Sequence, residues 1–355
     1  MTPILSRWLP GACVWLHAEH RQKALYLLIL LLPLPAAIYC IGLGRYAIPT
    51  EDVVRALLDF ALGRHDASAG PDIVYNLVTR VRLPRIAAAM FIGANLAVTG
   101  ATFQGIFRNP LVDSNILGVT SGAGFGAALM LLLVGDPLEV QLAAFFVGLV
   151  AVLLAYSVSR LYHSAPLLVL TLVGILVGSF FSSLTSLLKY VADPLDTLPA
   201  ITYWLMGGLT DVTLGDIPAL AAISLLGMVV LWGVRWRLNV LSMGDNEALA
   251  LGLNPTRLKL LIIVCSTLMT AMAVSVGGVI GWVGLVIPHA ARTLVGPDHQ
   301  RLIPATMALG AVFLLLIDTM SRTLLPAEVP LGVFTGVVGV PLLLVILRVN
   351  RTGWR

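Results

Sequence analysis

Two arginines set three residues apart around a proline, Arg82-Leu83-Pro84-Arg85, are the first side chains in the chain with a legible chemistry. A guanidinium fork binds a carboxylate through two parallel hydrogen bonds, and the adjacent proline stiffens the backbone that presents it. With Arg322 they suit docking of an acidic surface; interfacial anchoring, or ion pairing with Asp72 or Asp318, is the other use open to the same groups. A second cluster, Asn109-Pro110-Leu111, breaks the chain after an apolar run, because proline disfavours helix at the residue before it. That break suits a constriction, or a cap in which Asn109 starts the following helix. A third segment, 242–253, reads as a short amphipathic helix. Gly244 and Gly252 can close its ends, Asp245 and Glu247 suit its first turn, and Ala248, Leu249 and Leu251 form an apolar face too small to span a bilayer. Such a face must be buried against a partner or lie on a membrane surface.

Several chemistries are missing. No G-x-x-x-x-G-K-[ST] loop occurs, so ATP-driven work by this chain needs a separate ATPase. No H-E-x-x-H or G-x-S-x-G is present. His17 and His20 lie in a polar leader, and His289, after Pro288, reads as a hydrogen-bonded interior histidine or a transport ligand. Cys13, Cys40 and Cys265 form neither a disulfide framework nor a metal spacing. The net charge of +4 is accounted for by basic loops beside anionic lipid and carries no nucleic-acid function.

The elements that must position these groups are set by composition. Of 355 residues 58% are apolar and 11% charged, and the mean hydropathy is +0.95, far outside soluble averages. The charges lie between long apolar runs. A bilayer core about 30 Å thick needs roughly 20 apolar residues per helix. Ten runs qualify, near 24–43, 86–107, 114–134, 140–159, 166–188, 217–234, 258–276, 278–295, 303–322 and 331–347. The second, third and eighth carry Asn95, Gln104 and many glycines, which suits helices packed inside a bundle. The chain is therefore expected to be all-α, a polytopic transmembrane bundle. It divides into a leader 1–23 with Trp8 and Trp15, one membrane domain 24–348, and a tail 349–355.

Ten spans put both termini on one side. Alternate connections carry fourteen Lys and Arg on one side and eight on the other, six of those eight in the single connection 44–85, so both ends are expected to be cytoplasmic. Few charges lie inside the spans, chiefly Asp318 and Arg322, which argues against a proton-coupled carrier and leaves an ATP-independent secondary transporter as the weaker reading.

The run Arg82-Leu83-Pro84-Arg85, then Gln104-Gly105 through Arg108-Asn109-Pro110-Leu111, then Leu117-Gly118-Val119 to Gly122-Ala123, resembles the FecCD family of permeases of type II ABC importers for iron siderophores, haem and vitamin B12. The likeness resumes in Gly281-Trp282-Val283-Gly284-Leu285-Val286-Ile287-Pro288-His289, Arg292, Gly296-Pro297-Asp298-His299 and Glu328-Val329-Pro330-Leu331-Gly332, covering about 80 to 348. Ser114 stands where many members have proline. The resemblance implies a vitamin B12 importer permease-like fold and a chain that is not itself an enzyme. Its cargo would be an iron chelate, with haem or cobalamin as alternatives. No cofactor is expected on the chain, with ATP and magnesium on the ATPase. The implied partners are a second permease copy, two ATPase subunits and a soluble substrate-binding protein at a bacterial cytoplasmic membrane. On this resemblance Arg82, Arg85 and Arg322 would meet the binding protein, Asn109 and Leu111 would form a cytoplasmic gate, and Gly244, Asp245, Glu247, Ala248, Leu249, Leu251 and Gly252 would couple to the ATPase.

Overall fold

A computed structural model of the chain describes residues 22–44, 46–64, 72–162 and 166–349. The leader tryptophans Trp8 and Trp15, His17, His20, Cys13 and nearly all of the tail lie outside them. No β-strand occurs among the described residues. In chain order the helices are α1 (Gln22–Leu31), α2 (Pro33–Gly42), α3 (Thr50–Leu62), α4 (Ile73–Asn76) with a π-helical turn Leu77–Arg82, α5 (Leu83–Phe107), α6 (Val119–Leu133), α7 (Pro137–Ser159) and α8 (Pro166–Val191). They continue with α9 (Thr197–Met206), α10 (Ile217–Gly233), α11 (Arg235–Met243), α12 (Asp245–Ala250), α13 (Pro255–Gly277), α14 (Val283–Val295), α15 (His299–Thr323) and α16 (Leu331–Val349).

Local sequence explains where these helices start. Proline at the first turn of α2, α7, α10 and α13 costs no hydrogen bond there, since those N–H groups have no helical acceptor. Side-chain caps take up neighbouring N–H groups: Asp136 accepts from Leu138 and Glu139, Asn254 from Arg257 and Asp298 from Gln300. Each of the ten apolar runs has a helical counterpart, but they are not equal. Among the described residues, six helices are long and apolar enough to cross a membrane alone. Two runs are bent pairs, α1–α2 by 41° at Pro33 and α10–α11 by 56°. The remaining two, α6 and α14, have 15 and 13 residues, which at about 1.5 Å per residue is too short to cross alone.

Burial sorts the spans. The apolar windows of α5, α15 and α13 are 83%, 72% and 67% buried, whereas those of α7, α8 and α16 are 33%, 28% and 22% buried. The first three are the centre of the bundle, and the second three turn large apolar faces outward, to lipid or to another chain. Asn95 and Gln104 are both buried on α5, as interior packing requires, and Asn95 donates to Ser224 of α10 at 2.8 Å.

Backbones approach closely where the sequence has glycine. A Cβ on Gly93 of α5 would overlap the carbonyl oxygen of Gly310 on α15, and one on Gly310 would overlap that of Gly93. Neither neighbour is a side chain that could swing away. Gly310→Val is therefore expected to force α5 and α15 apart and cost about 1–3 kcal/mol. Thermal melting of the detergent-solubilised chain reads this, and an unchanged midpoint would refute the close crossing.

Candidate functional site

The bundle has two ends, separated by α5, which at about 1.5 Å per residue runs roughly 37 Å. One end holds an arginine cluster. Asp318, fully buried on α15, accepts from Arg85 Nε at 2.8 Å and from Arg322 Nε at 3.2 Å. Arg85 also reaches Glu328 at 2.9 Å, and Thr210 donates to the same Glu328 oxygen at 3.1 Å. The spare donors of the other two arginines end α2. Arg322 donates to the carbonyls of Leu43 and Cys40, and Arg82 to those of Ile41, Gly42 and Tyr46. Cationic groups at a helix C-terminus satisfy its orphan carbonyls and match the negative end of its dipole.

Arg82, Arg85 and Arg322, expected from the resemblance to meet a binding protein, are 5%, 8% and 7% exposed, and each has donors engaged inside this chain. The reason is energetic, because a guanidinium drawn below the surface must have its donors satisfied, and the nearest acceptors are intramolecular. Of the two acids considered for them, Asp318 is the partner, while Asp72 accepts from Tyr75 N–H at the start of α4. Glu328 and Thr210 had no assigned role in the sequence; the one available signal was the isolated acid at 328 within an apolar run.

The other end gathers the remaining candidates. α5 stops at Arg108, whose φ of 49° is left-handed. Asn109 Oδ1 then accepts from Leu111 N–H at 3.0 Å, closing a local turn. α6 begins ten residues further on, so Asn109 caps this turn and not that helix. Leu111 is 64% exposed at the turn. Gln104 ties the loop to the bundle: its Nε2 donates to Val112 O at 3.1 Å and its Oε1 accepts from Arg292 of α14. Within the loop, Asp113 accepts from Ser114 and Asn115; burial pushes its carboxyl above the usual range against the pull of those donors.

α12 lies beside this loop. Its six residues, Asp245–Ala250, occupy the centre of the expected segment 242–253. Gly252, at φ +75°, sits just beyond the helix, and the N–H groups of Gly252 and Leu253 return to the carbonyls of Leu249 and Ala248, which is why glycine is needed there. Asp245 pairs with Lys259 at 2.6 Å and with Arg108 at 3.3 Å. The Glu247 carboxylate lies over Gly244, where a Cβ would require that side chain to move. The expected single apolar face is divided: Ala248 is fully buried against the bundle, whereas Leu249 and Leu251 are 59% and 61% exposed. Met243 continues the exposed apolar surface.

Two histidines line the same end. His289 Nδ1 donates to the Leu285 carbonyl at 2.8 Å, the interior arrangement considered for it. His299 Nδ1 bonds Asn239 Oδ1 at 2.8 Å. Asp298, just before α15, would be raised by burial, but hydrogen bonds from the Gln300 N–H and the Asn239 amide, with Arg301 and His299 nearby, hold its carboxyl below the usual range.

With this geometry in place, the comparisons are specific. The model of the FecCD transport family matches residues 28–349. The molybdate import permease of Haemophilus influenzae is 37% identical over 332 residues, covering 93% of this chain and 97% of that protein. A probable iron chelatin transport permease of Helicobacter pylori is 39% identical over 276 residues, covering 78% of this chain and 83% of that one. Relatives named for cobalamin and hemin also match. A solved structure described as an inward-facing metal-chelate type ABC transporter superposes with a TM-score of 0.80 at 35% identity, covering 92% of this chain and 99% of that one.

Proposed function

The chain belongs to the FecCD transport family and is a multi-pass permease subunit of an ABC importer, not an enzyme; from that premise we propose that its cargo is an iron chelate of the ferric siderophore class. The iron chelatin relative supports that cargo, with haem and cobalamin as alternatives within the same architecture. Molybdate is a distinct second reading, favoured by a relative that matches over 93% of this chain.

The observation that carries the energetic half of the proposal is α12. A short helix with Leu249 and Leu251 exposed, anchored by Ala248 and by the Asp245 pairs to Arg108 and Lys259, is a rigid apolar knob on a chain that has no phosphate-binding loop. It suits seating in a groove of an ATPase subunit, one per permease copy, so that rearrangement on ATP and magnesium in the partner moves the bundle. The end bearing α12 is then cytoplasmic, as are both termini, in a bacterial cytoplasmic membrane. The arginine end faces the soluble binding protein, with Arg82, Arg85 and Arg322 at the docking end and also tying it together through Asp318 and the α2 carbonyls.

Two copies of the chain would enclose the path between their sparsely buried helices. Asn109 and Leu111 would close it at the cytoplasmic end, the asparagine fixing the turn and the exposed leucine meeting its symmetry mate. Leu111→Cys in a chain lacking Cys13, Cys40 and Cys265 is then expected to cross-link between copies in one nucleotide state and not in the other. Equal cross-linking in both states would remove the gate from these residues. The function as a whole is tested by reconstituting the chain with its ATPase and binding protein in lipid. ATP hydrolysis stimulated by a binding protein loaded with a ferric siderophore supports the proposal, stimulation only by molybdate selects the second reading, and solute movement without the ATPase overturns both.

A further inference from the structure

We propose that the α12 end of each chain carries a binding pocket for a phosphate-class tetrahedral oxyanion, with Arg292 as its anchor. A cavity of about 580 Å³ opens there, between α5, α11, α14 and the start of α15. Gln104, Arg108, Ser242, His289, Arg292 and His299 all face it, and no carboxylate is among the residues that line it.

The charge on Arg292 is what calls for a ligand. Among the described residues its one hydrogen-bond partner is the neutral Gln104 Oε1, and no carboxylate lies within ion-pairing distance of it. Two acids at this end of the bundle are engaged elsewhere. Asp245 is held between Arg108 and Lys259, and Asp298 accepts from Asn239 Nδ2 at 2.6 Å and from Gln300 N–H at 2.9 Å. A half-buried guanidinium without a counter-charge is costly, and its free donors match the paired oxygens of a tetrahedral anion.

The arginine cluster at the opposite end shows the contrast. There, two arginines share the carboxylate of Asp318 and the third is saturated by three backbone carbonyls. Arg292 has donors to spare beside an open cavity, and a cation would be repelled from it. A lipid phosphate and a free cytosolic oxyanion share this chemistry. The pocket adjoins the proposed ATPase seat, since Arg108 of its lining also pairs with Asp245 of α12, but it does not rest on which cargo is carried, because binding is measured without transport.

The test uses the full chain in nanodiscs. Radiolabelled phosphate and molybdate are titrated in phosphatidylcholine discs, and retention of phosphatidylglycerol is read by native mass spectrometry from mixed discs. Saturable binding of a soluble ion at one per chain places the source in the cytosol; selective retention of phosphatidylglycerol places it in the membrane. In either case Arg292→Gln is expected to weaken binding at least about tenfold, because the bidentate charge-assisted pair is lost. Ser242→Glu, at an exposed position on the pocket rim, brings in a negative charge without disturbing the interior, and is expected to do the same even if the arginine variant does not fold. Absence of saturable binding of both ions and of selective lipid retention overturns the proposal. So does binding that neither substitution weakens.

Discussion

Replacing Asp318 with asparagine is expected to destabilise the chain by about 3–5 kcal/mol, the usual cost of removing one member of a buried ion network. The carboxylate is fully buried and bridges two guanidiniums, so the amide leaves Arg85 and Arg322 as adjacent positive charges with a single carbonyl between them. The consequences spread beyond the cluster. Arg322 also holds the final carbonyls of α2, and Arg85 holds Glu328 and through it Thr210, so the helix end and two loops lose their fastening together. Thermal melting in detergent is the readout, and a shift within about 2 °C of the parent would show that the network contributes little. Asp318→Leu combined with Arg85→Met removes a positive charge along with the negative one, and is expected to melt above Asp318→Asn.

The second large effect is on coupling. Leu249→Glu together with Leu251→Glu places two charges on the exposed apolar knob while leaving the buried Ala248 and the Asp245 pairs in place. Because both leucines already face outward, the fold is expected to survive. Association with the ATPase is expected to weaken by at least about 30-fold, corresponding to roughly 2 kcal/mol for a central apolar contact. Transport should fall toward background with it. Co-purification of the ATPase with the double variant at wild-type yield would instead favour α12 as a membrane-surface helix.

Much of the membrane architecture was legible from composition. An apolar run of about 20 residues has few stable destinations other than the bilayer, so each of the ten runs recurs as a helix, a bent pair or a short buried helix. The bend between α1 and α2 follows from Pro33, whose ring clashes with the preceding turn. The shortness of α6 and α14 was hidden, because hydropathy measures apolar length and not where a backbone turns. Interior placement of α5 could be read from Asn95 and Gln104, since polar groups inside a membrane need partners.

At the sites, residue type indicated capacity and the fold decided use. Arg82 and Arg85 could bind carboxylates wherever they stood; only the packing of α2 and α15 against α5 put backbone carbonyls and Asp318 within reach and consumed them. In 242–253 the sequence alone determined that a short apolar-faced helix would form and where glycine would end it. The tertiary structure chose which of Ala248, Leu249 and Leu251 would be buried, because a helix face is divided by what packs on it. The missing counter-charge of Arg292 is likewise a tertiary fact. Asp298 lies six residues from it in the chain, and only the fold sends its carboxylate to Asn239 and the Gln300 N–H. Local patterning determines which elements form, since it acts over a few residues; partner choice depends on contacts between residues hundreds of positions apart, which no local pattern encodes.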